Sequence, residues 1–445
     1  MHELSSILIE SAKILVRDSL TSAHILIEDG LIRKVSKLRP PEGFDLRIPA
    51  KGLIALPGMI DAHVHLRDLE LSYKETFETG TQAAAAGGFT TVIDMPNTRP
   101  PTVSSERLKQ KLAKAQGRLF SNVAFQAALV DDPNEVAQMS KLGAVAFKLY
   151  LNKALETFDS SDEARLSSSL LAVSASDTLM TVHAEDGVMI RREQEDCEAK
   201  GKRSMKDFLR VHSPEAEVSA VRSILSLARK FRARVHVCHI TTPEAVKLVR
   251  NAEFATCEAA AHHLLLNQSI FKKQDSLAVC VPPIRGERER RGLWRLFTAG
   301  KVDILASDHA PHTLEEKLKD NIWSVASGVP GLETSLPILF TQAVRGAITL
   351  RRLIEAAAVL PARIFRLPRK GIISEGFDAD IVLVDPKAKI RIDPKQFLSK
   401  ARYSPFNGMH CTGSAAYTIV GGTLVAERGK IVGPPVGQIV KGGGT

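Results

Sequence analysis

The chain has 445 residues, 44% of them hydrophobic and 25% charged, with a formal net charge of +10. This length suits a large barrel core with an accessory module, and no apolar run approaches the ~18 residues of a membrane span. Basic residues are mixed with acids, as in RREQEDCEAKGKR (191–203), and aromatics make up only 5%, which excludes an interleaved basic and aromatic surface for nucleic acid.

At the N-terminus, Glu3, Glu10 and Lys13 interrupt the apolar residues, so no signal peptide is expected and a cytoplasmic location is the default. The five cysteines lack CxxC spacing and are odd in number, which points to a reducing compartment. HILIEDGLIRKV (24–35) reads as a hairpin turning at Asp29-Gly30. DADIVLVDP (378–386) and YTIVGGTLVAERGKIV (417–432) alternate in the same short-strand manner. Neither end has enough strands to bury a face alone, so residues 1–56 and 368–445 are expected to join as one β-sandwich domain.

Between them, residues 57–367 alternate apolar β-branched runs with amphipathic stretches, which predicts parallel βα units. Eight runs are counted, at 59–65, 89–95, 122–129, 144–150, 179–185, 234–240, 253–259 and 302–308. Eight units make a (β/α)8 TIM barrel, whose active site lies at the C-terminal ends of the strands. Those ends carry His63 and His65, then Lys148, His183, His239, Glu258 and Asp308.

Side chains two apart on a strand share a face, so His63 and His65 can hold one divalent ion. Lys148 is costly to keep charged in an apolar strand. As a carbamate, its amine having captured carbon dioxide, it would become an anion able to bridge two metals. Asp308, in LASDHAPH, can accept a proton and pass it to a leaving nitrogen. Of the histidines after it, His312 reads as a substrate contact and His309 as a support for the metal ligands.

The stretches PGMIDAHVHLRD, ETGTQAAAAGGFTTVIDMPNT, FKLYLN, HVCHI, SDHAPHT and GVPGLETSLP resemble dihydroorotases of the cyclic amidohydrolase group. The resemblance covers nearly the whole chain. It implies interconversion of N-carbamoyl-L-aspartate and L-dihydroorotate in pyrimidine synthesis by a hydroxide bridging two zinc ions, with Asp308 as proton shuttle. It implies His63, His65, Lys148, His183, His239 and Asp308 as metal ligands, Lys148 being carboxylated. Arg67 and Asn97 are implied to bind substrate, and His312, Ser327 and Gly328 to hold its ring. Cys238 and Glu258 match positions around an additional zinc in animal multifunctional members, and His263 belongs to a histidine pair, His262-His263, that fits an extra metal or a supporting role. Such enzymes are commonly homo-dimers or tetramers.

Two departures stand out. HLRDLELS replaces the HLREPG of many members, and Val281 precedes PPIR where many bacterial members have Asn. Hydantoinases, dihydropyrimidinases and allantoinases share the metal set, and a non-catalytic interaction protein on the same fold is the alternative from another class. The polar segment KALETFDSSD (153–162) is a candidate lid.

Overall fold

The eight apolar runs become eight parallel strands: β1 (Met59–Val64), β2 (Phe89–Asp94), β3 (Asn122–Ala128), β4 (Ala146–Tyr150), β5 (Leu179–His183), β6 (Val235–Val237), β7 (Ala255–Ala260) and β8 (Ile304–Ala306). The computed structural model describes residues 6–443 apart from 41, 42, 157, 159 and 161. The strands pair in sequence order, and every residue of β1 to β5 is buried, as a sheet covered by helices outside and packed inside requires. Several covering helices begin on a capping side chain followed by proline: Asp132-Pro133, Ser213-Pro214 and Thr242-Pro243. The cap satisfies a free backbone N–H, and proline fits where no N–H partner exists.

The barrel closes between β8 and β1 through a side chain. Both carboxylate oxygens of Asp61 accept from the Ser307 N–H, at 3.0 and 3.2 Å, and one also accepts from the His63 N–H at 3.1 Å. Just beyond, the His65 N–H donates to the His309 carbonyl at 2.8 Å. Asp61 thus ties together the strands that carry His63 and Asp308.

The two chain ends form a second, nine-stranded sheet. Its seam is the antiparallel pairing of Ile54–Pro57 with Ile381–Arg391. Alternation along this last strand gives it two cores: Ile381 and Leu383 pack with Ile7, Ile25 and Ile419, while Val382 and Val384 pack into the barrel's core. The contact is close at Gly413, where a Cβ would lie 2.2 Å from the Phe340 ring.

Not all of the C-terminal part stays with this sheet. Leu398 and Ser399 donate their N–H groups to Glu333 at 2.8 and 3.2 Å, and the Tyr403 hydroxyl donates to the Gly328 carbonyl at 3.1 Å. Ile439–Val440 adds to β3 as a further parallel strand. Among the described residues, no helix is long and apolar enough to cross a membrane.

Candidate active site

The ends of the barrel strands surround a cavity of about 340 Å³ lined by His63, His65, His183, His239 and Asp308. Lys148, on β4, is buried beneath it at 1% exposure. The His63 and His65 Nε2 atoms lie 3.4 and 3.6 Å from Asp308 Oδ1. Those separations exceed ordinary hydrogen bonds and match the spacing of about 3.4 Å between two donors sharing a tetrahedral ion at 2.0–2.1 Å. Opposite them, His183 Nδ1 and His239 Nε2 face each other at 3.1 Å.

His63, His65 and Asp308 form one group able to hold a metal ion, and His63, Cys238 and Glu258 form another. His239 and Asp308 both sit in the left-handed region, with φ of 33° and 48°, where a non-glycine residue is strained. In each case the backbone conformation coincides with a side chain turned into the cavity.

Two carboxylates and an amide orient His63, His183 and His65 from outside, while His239 Nδ1 is buried without a hydrogen-bond partner. Glu258 accepts from His63 Nδ1 at 2.6 Å and from His236 Nε2 at 3.1 Å. Glu185 links His183 Nε2, at 2.8 Å, to His212 Nδ1, at 3.0 Å. With Glu185 taking the Nε2 proton, the Nδ1 lone pair of His183 faces the cavity. Asn97 Oδ1 lies 2.7 Å from His65 Nδ1. Its carbonyl is therefore committed to a histidine, and only its amide N–H groups remain for a substrate.

The charges are unevenly held. Burial and the Lys148 ammonium oppose a proton on His63, but the Glu258 and Asp308 carboxylates prevail and push it up to about 10. Burial, with Arg67 and His63 adding to it, brings His65 down to about 3. Burial also lowers His183, and takes His239 well below the usual imidazole value. Asp308 lies well below the carboxylate range because, against burial, the His63, His65 and His239 imidazoles favour its anion. The ionised Asp308 carboxylate and the neutral His65, His183 and His239 imidazoles form a donor set suited to a cation, which His63 can join by giving up the proton that Glu258 and Asp308 favour.

Lys148 has no carboxylate partner among the described residues, and its Nζ donates to Cys238 Sγ at 3.0 Å. Cys238 and Glu258 lie behind the cavity wall. His263 lies apart from the cavity: its Nε2 donates to the Pro282 carbonyl at 3.0 Å, and it groups with His262 and Cys280.

On the substrate side, Arg67, Asn97, His312, Ser327 and Gly328 line the same cavity. Arg67, Asp68 and Leu69 are three consecutive residues of positive φ, at 58°, 44° and 51°. Asp68 stabilises this turn by accepting from the N–H groups of Leu69 and Phe77 at 2.7 and 2.8 Å. The chain that replaces the common HLREPG loop therefore keeps Arg67 at the cavity, where it meets Pro311 O at 3.3 Å and His312 Nε2 at 3.2 Å.

Gly328 differs from expectation. Its N–H donates to the Val279 carbonyl, and its own carbonyl accepts from Lys317 Nζ and Tyr403 Oη. Neither backbone group is free for a ring. Glycine is needed there for space, since a Cβ would lie 2.5 Å from the Ala310 carbonyl oxygen. The segment proposed as a lid contains residues 157, 159 and 161, which lie outside the described residues. Its described part is docked: Phe158 is buried, and the Ser160 hydroxyl donates to the Tyr150 carbonyl at 3.1 Å.

The sequence profile of the Amidohydrolase family matches residues 54–425. A dihydroorotase from Pyrococcus abyssi is 36% identical over 436 residues, covering 97% of this chain and 98% of that protein. An L-hydantoinase from Paenarthrobacter aurescens is 31% identical over 438 residues, covering 96% and 95%. Among solved structures, the L-hydantoinase (dihydropyrimidinase) from Arthrobacter aurescens aligns with a TM-score of 0.94 at 31% identity, over 98% of this chain and 99% of that one.

Proposed function

This chain belongs to the amidohydrolase family and is a cyclic amide hydrolase, and we propose that it acts as a dihydroorotase, interconverting N-carbamoyl-L-aspartate and L-dihydroorotate. The observation that carries this reading is Arg67. It is a buried guanidinium on the cavity wall whose contacts, Pro311 O and His312 Nε2, are both uncharged, and no carboxylate pairs with it among the described residues. A buried cation without a counter-ion suits an anionic ligand, and a planar fork suits a carboxylate. Dihydroorotate carries that carboxylate; hydantoin and dihydrouracil do not.

On this reading His63, His65, His183, His239 and Asp308 would hold two zinc ions, with Lys148, as a carbamate, supplying a further anionic ligand. The convergent lone pairs and the lack of a counter-ion at Lys148 support it. Bound there, the ions supply Lewis-acid activation of the ring amide and of the attacking water. Glu258 bridges His63 and His236, which supports an orienting role for it over ligation of a third ion.

The side chains then divide the work. Arg67 and the Asn97 amide hold the carboxylate, and His312 borders the ring. Asp308 takes a proton from the attacking water and delivers it to the ring nitrogen as the C–N bond breaks. In the closing direction it removes the proton from the carbamoyl nitrogen. Purified, zinc-loaded protein is expected to close N-carbamoyl-L-aspartate to L-dihydroorotate, followed by chromatography of the products. No closure, with hydantoin or dihydrouracil opened instead, would overturn the dihydroorotase reading in favour of the hydantoinase one.

A further inference from the structure

Each ring nitrogen of His312 has one donor and one acceptor beside it. Nε2 lies 3.2 Å from Arg67 Nη2 and 3.2 Å from the Ser327 carbonyl oxygen. Nδ1 lies 3.2 Å from Lys74 Nζ and 3.2 Å from Glu316 Oε2. Burial, with Arg67, Lys74 and Lys317 adding to it, holds His312 below the usual imidazole value, so the ring carries a single proton. The nitrogen that holds this proton decides whether Arg67 meets a lone pair or another N–H.

With the proton on Nδ1, the ring donates to the Glu316 carboxylate and accepts from the Arg67 guanidinium, and its mismatches are with Lys74 and the neutral Ser327 carbonyl. With the proton on Nε2, it matches only Lys74 and Ser327, and sets a lone pair against a carboxylate and an N–H against a guanidinium. Charge-assisted hydrogen bonds are about twice as strong as neutral ones. Lys74 also has its own partner in Glu316 Oε1 at 2.8 Å, and with 12% and 27% of the two side chains exposed, solvent screens this pair only in part. The balance favours Nδ1–H, and without the Glu316 carboxylate it would reverse. Glu316 is fixed by its own turn: Oε2 accepts from the Thr313 N–H at 3.2 Å, its N–H donates to Thr313 Oγ1 at 3.2 Å, and the Tyr73 hydroxyl donates to Oε1 at 3.1 Å. It thereby joins the segment after β1, which carries Arg67, Tyr73 and Lys74, to the segment after β8, which carries His312.

We infer that Glu316, braced by Lys74, is a positioning residue that holds His312 as the Nδ1–H tautomer, whose Nε2 lone pair accepts from Arg67 and keeps the guanidinium aimed at the carboxylate of the ligand. The ligand's carboxylate rests on the dihydroorotase reading; the tautomer does not.

The tautomer is read by long-range proton–nitrogen NMR of metal-loaded enzyme labelled with 15N in histidine, the His312 signals being those lost in His312→Asn. Wild type is expected to show Nδ1–H. Glu316→Leu should convert it to Nε2–H, because Lys74 then donates to Nδ1, whereas Lys74→Met, which removes that competing donor, should keep Nδ1–H. Glu316→Gln retains the shape and a neutral acceptor and should show both forms. In steady-state kinetics Glu316→Leu should raise KM for L-dihydroorotate by about 10-fold or more, with kcat changed by less than about 3-fold. Its kcat/KM for 5,6-dihydrouracil, which has no carboxylate, should also change by less than about 3-fold, and Glu316→Gln should give a smaller rise in KM. An Nε2–H signal in wild type, a tautomer unchanged in both Glu316 variants, or equal losses on the two substrates would overturn the inference. If wild type opens hydantoin but not dihydroorotate, the dihydroorotase reading fails by itself and the spectra alone decide the inference.

Discussion

On the wall of the cavity built from β1, β5, β7 and β8, the polar groups that face outward already have partners. Glu258 spans His63 and His236, Glu185 spans His183 and His212, and Asp61 takes the Ser307 N–H. On the wall built from the turn after β1 and the end of β4, buried Arg67 lacks a counter-ion among the described residues and two buried oxygens, on Tyr150 and Asn152, lack partners. The first wall is organised before anything binds, which suits resident ions held at fixed distances. The second leaves its groups open, which suits a ligand that arrives, reacts and leaves.

The largest break in this contrast should come from Asp308→Asn, which keeps the shape of the first wall but removes its proton carrier. kcat is expected to fall by about 10³-fold or more, checked by steady-state kinetics at saturating metal. Retained activity would remove Asp308 from the chemistry.

A smaller effect is expected one layer out. Glu185→Gln leaves His183 in place but weakens the acceptor that sets its tautomer. Metal affinity should drop about 10- to 100-fold in chelator competition. The same variant carries a pH signature. Against burial, His212 and His183 hold the Glu185 carboxyl below its ordinary value in the folded protein. A depressed folded pKa stabilises the protein above the unfolded value of about 4.3, and the contribution is lost as pH falls below it toward the folded value. Urea unfolding of metal-free wild type and variant should differ most at neutral pH and converge on acidification. A difference that grows in acid would contradict the assignment.

The smallest effect concerns a residue far along the chain. Tyr403→Phe removes one of the two side-chain donors to the Gly328 carbonyl. It should cost about 1 kcal/mol in unfolding and raise KM by less than about 5-fold, with kcat unchanged. A loss of kcat without a change in KM would place Tyr403 elsewhere in the mechanism.

The eight strands were readable because strands buried on both faces are nearly continuous apolar runs, and the metal residues because they interrupt such runs at their ends. The two-residue spacing of His63 and His65 also picks out Tyr150, two after Lys148 on the same face of β4, whereas Asp61 precedes His63 across a register shift and Glu185 lies beyond the end of β5, so alternation does not reach them. His212 carried no such signal; it follows the helix Met205–Val211 and meets Glu185 only through the fold. The role of Gly328 was likewise hidden, since it depends on Lys317, Tyr403 and Val279 converging on the two peptides that flank one residue.

L-Dihydroorotate and 5,6-dihydrouracil share a ring and differ by one carboxylate, so their ratio of kcat/KM isolates what Arg67 does. The account predicts a wild-type preference for dihydroorotate of about 100-fold or more that collapses by a similar factor in Arg67→Met. A ratio near one in wild type, or a preference that survives the substitution, would contradict it.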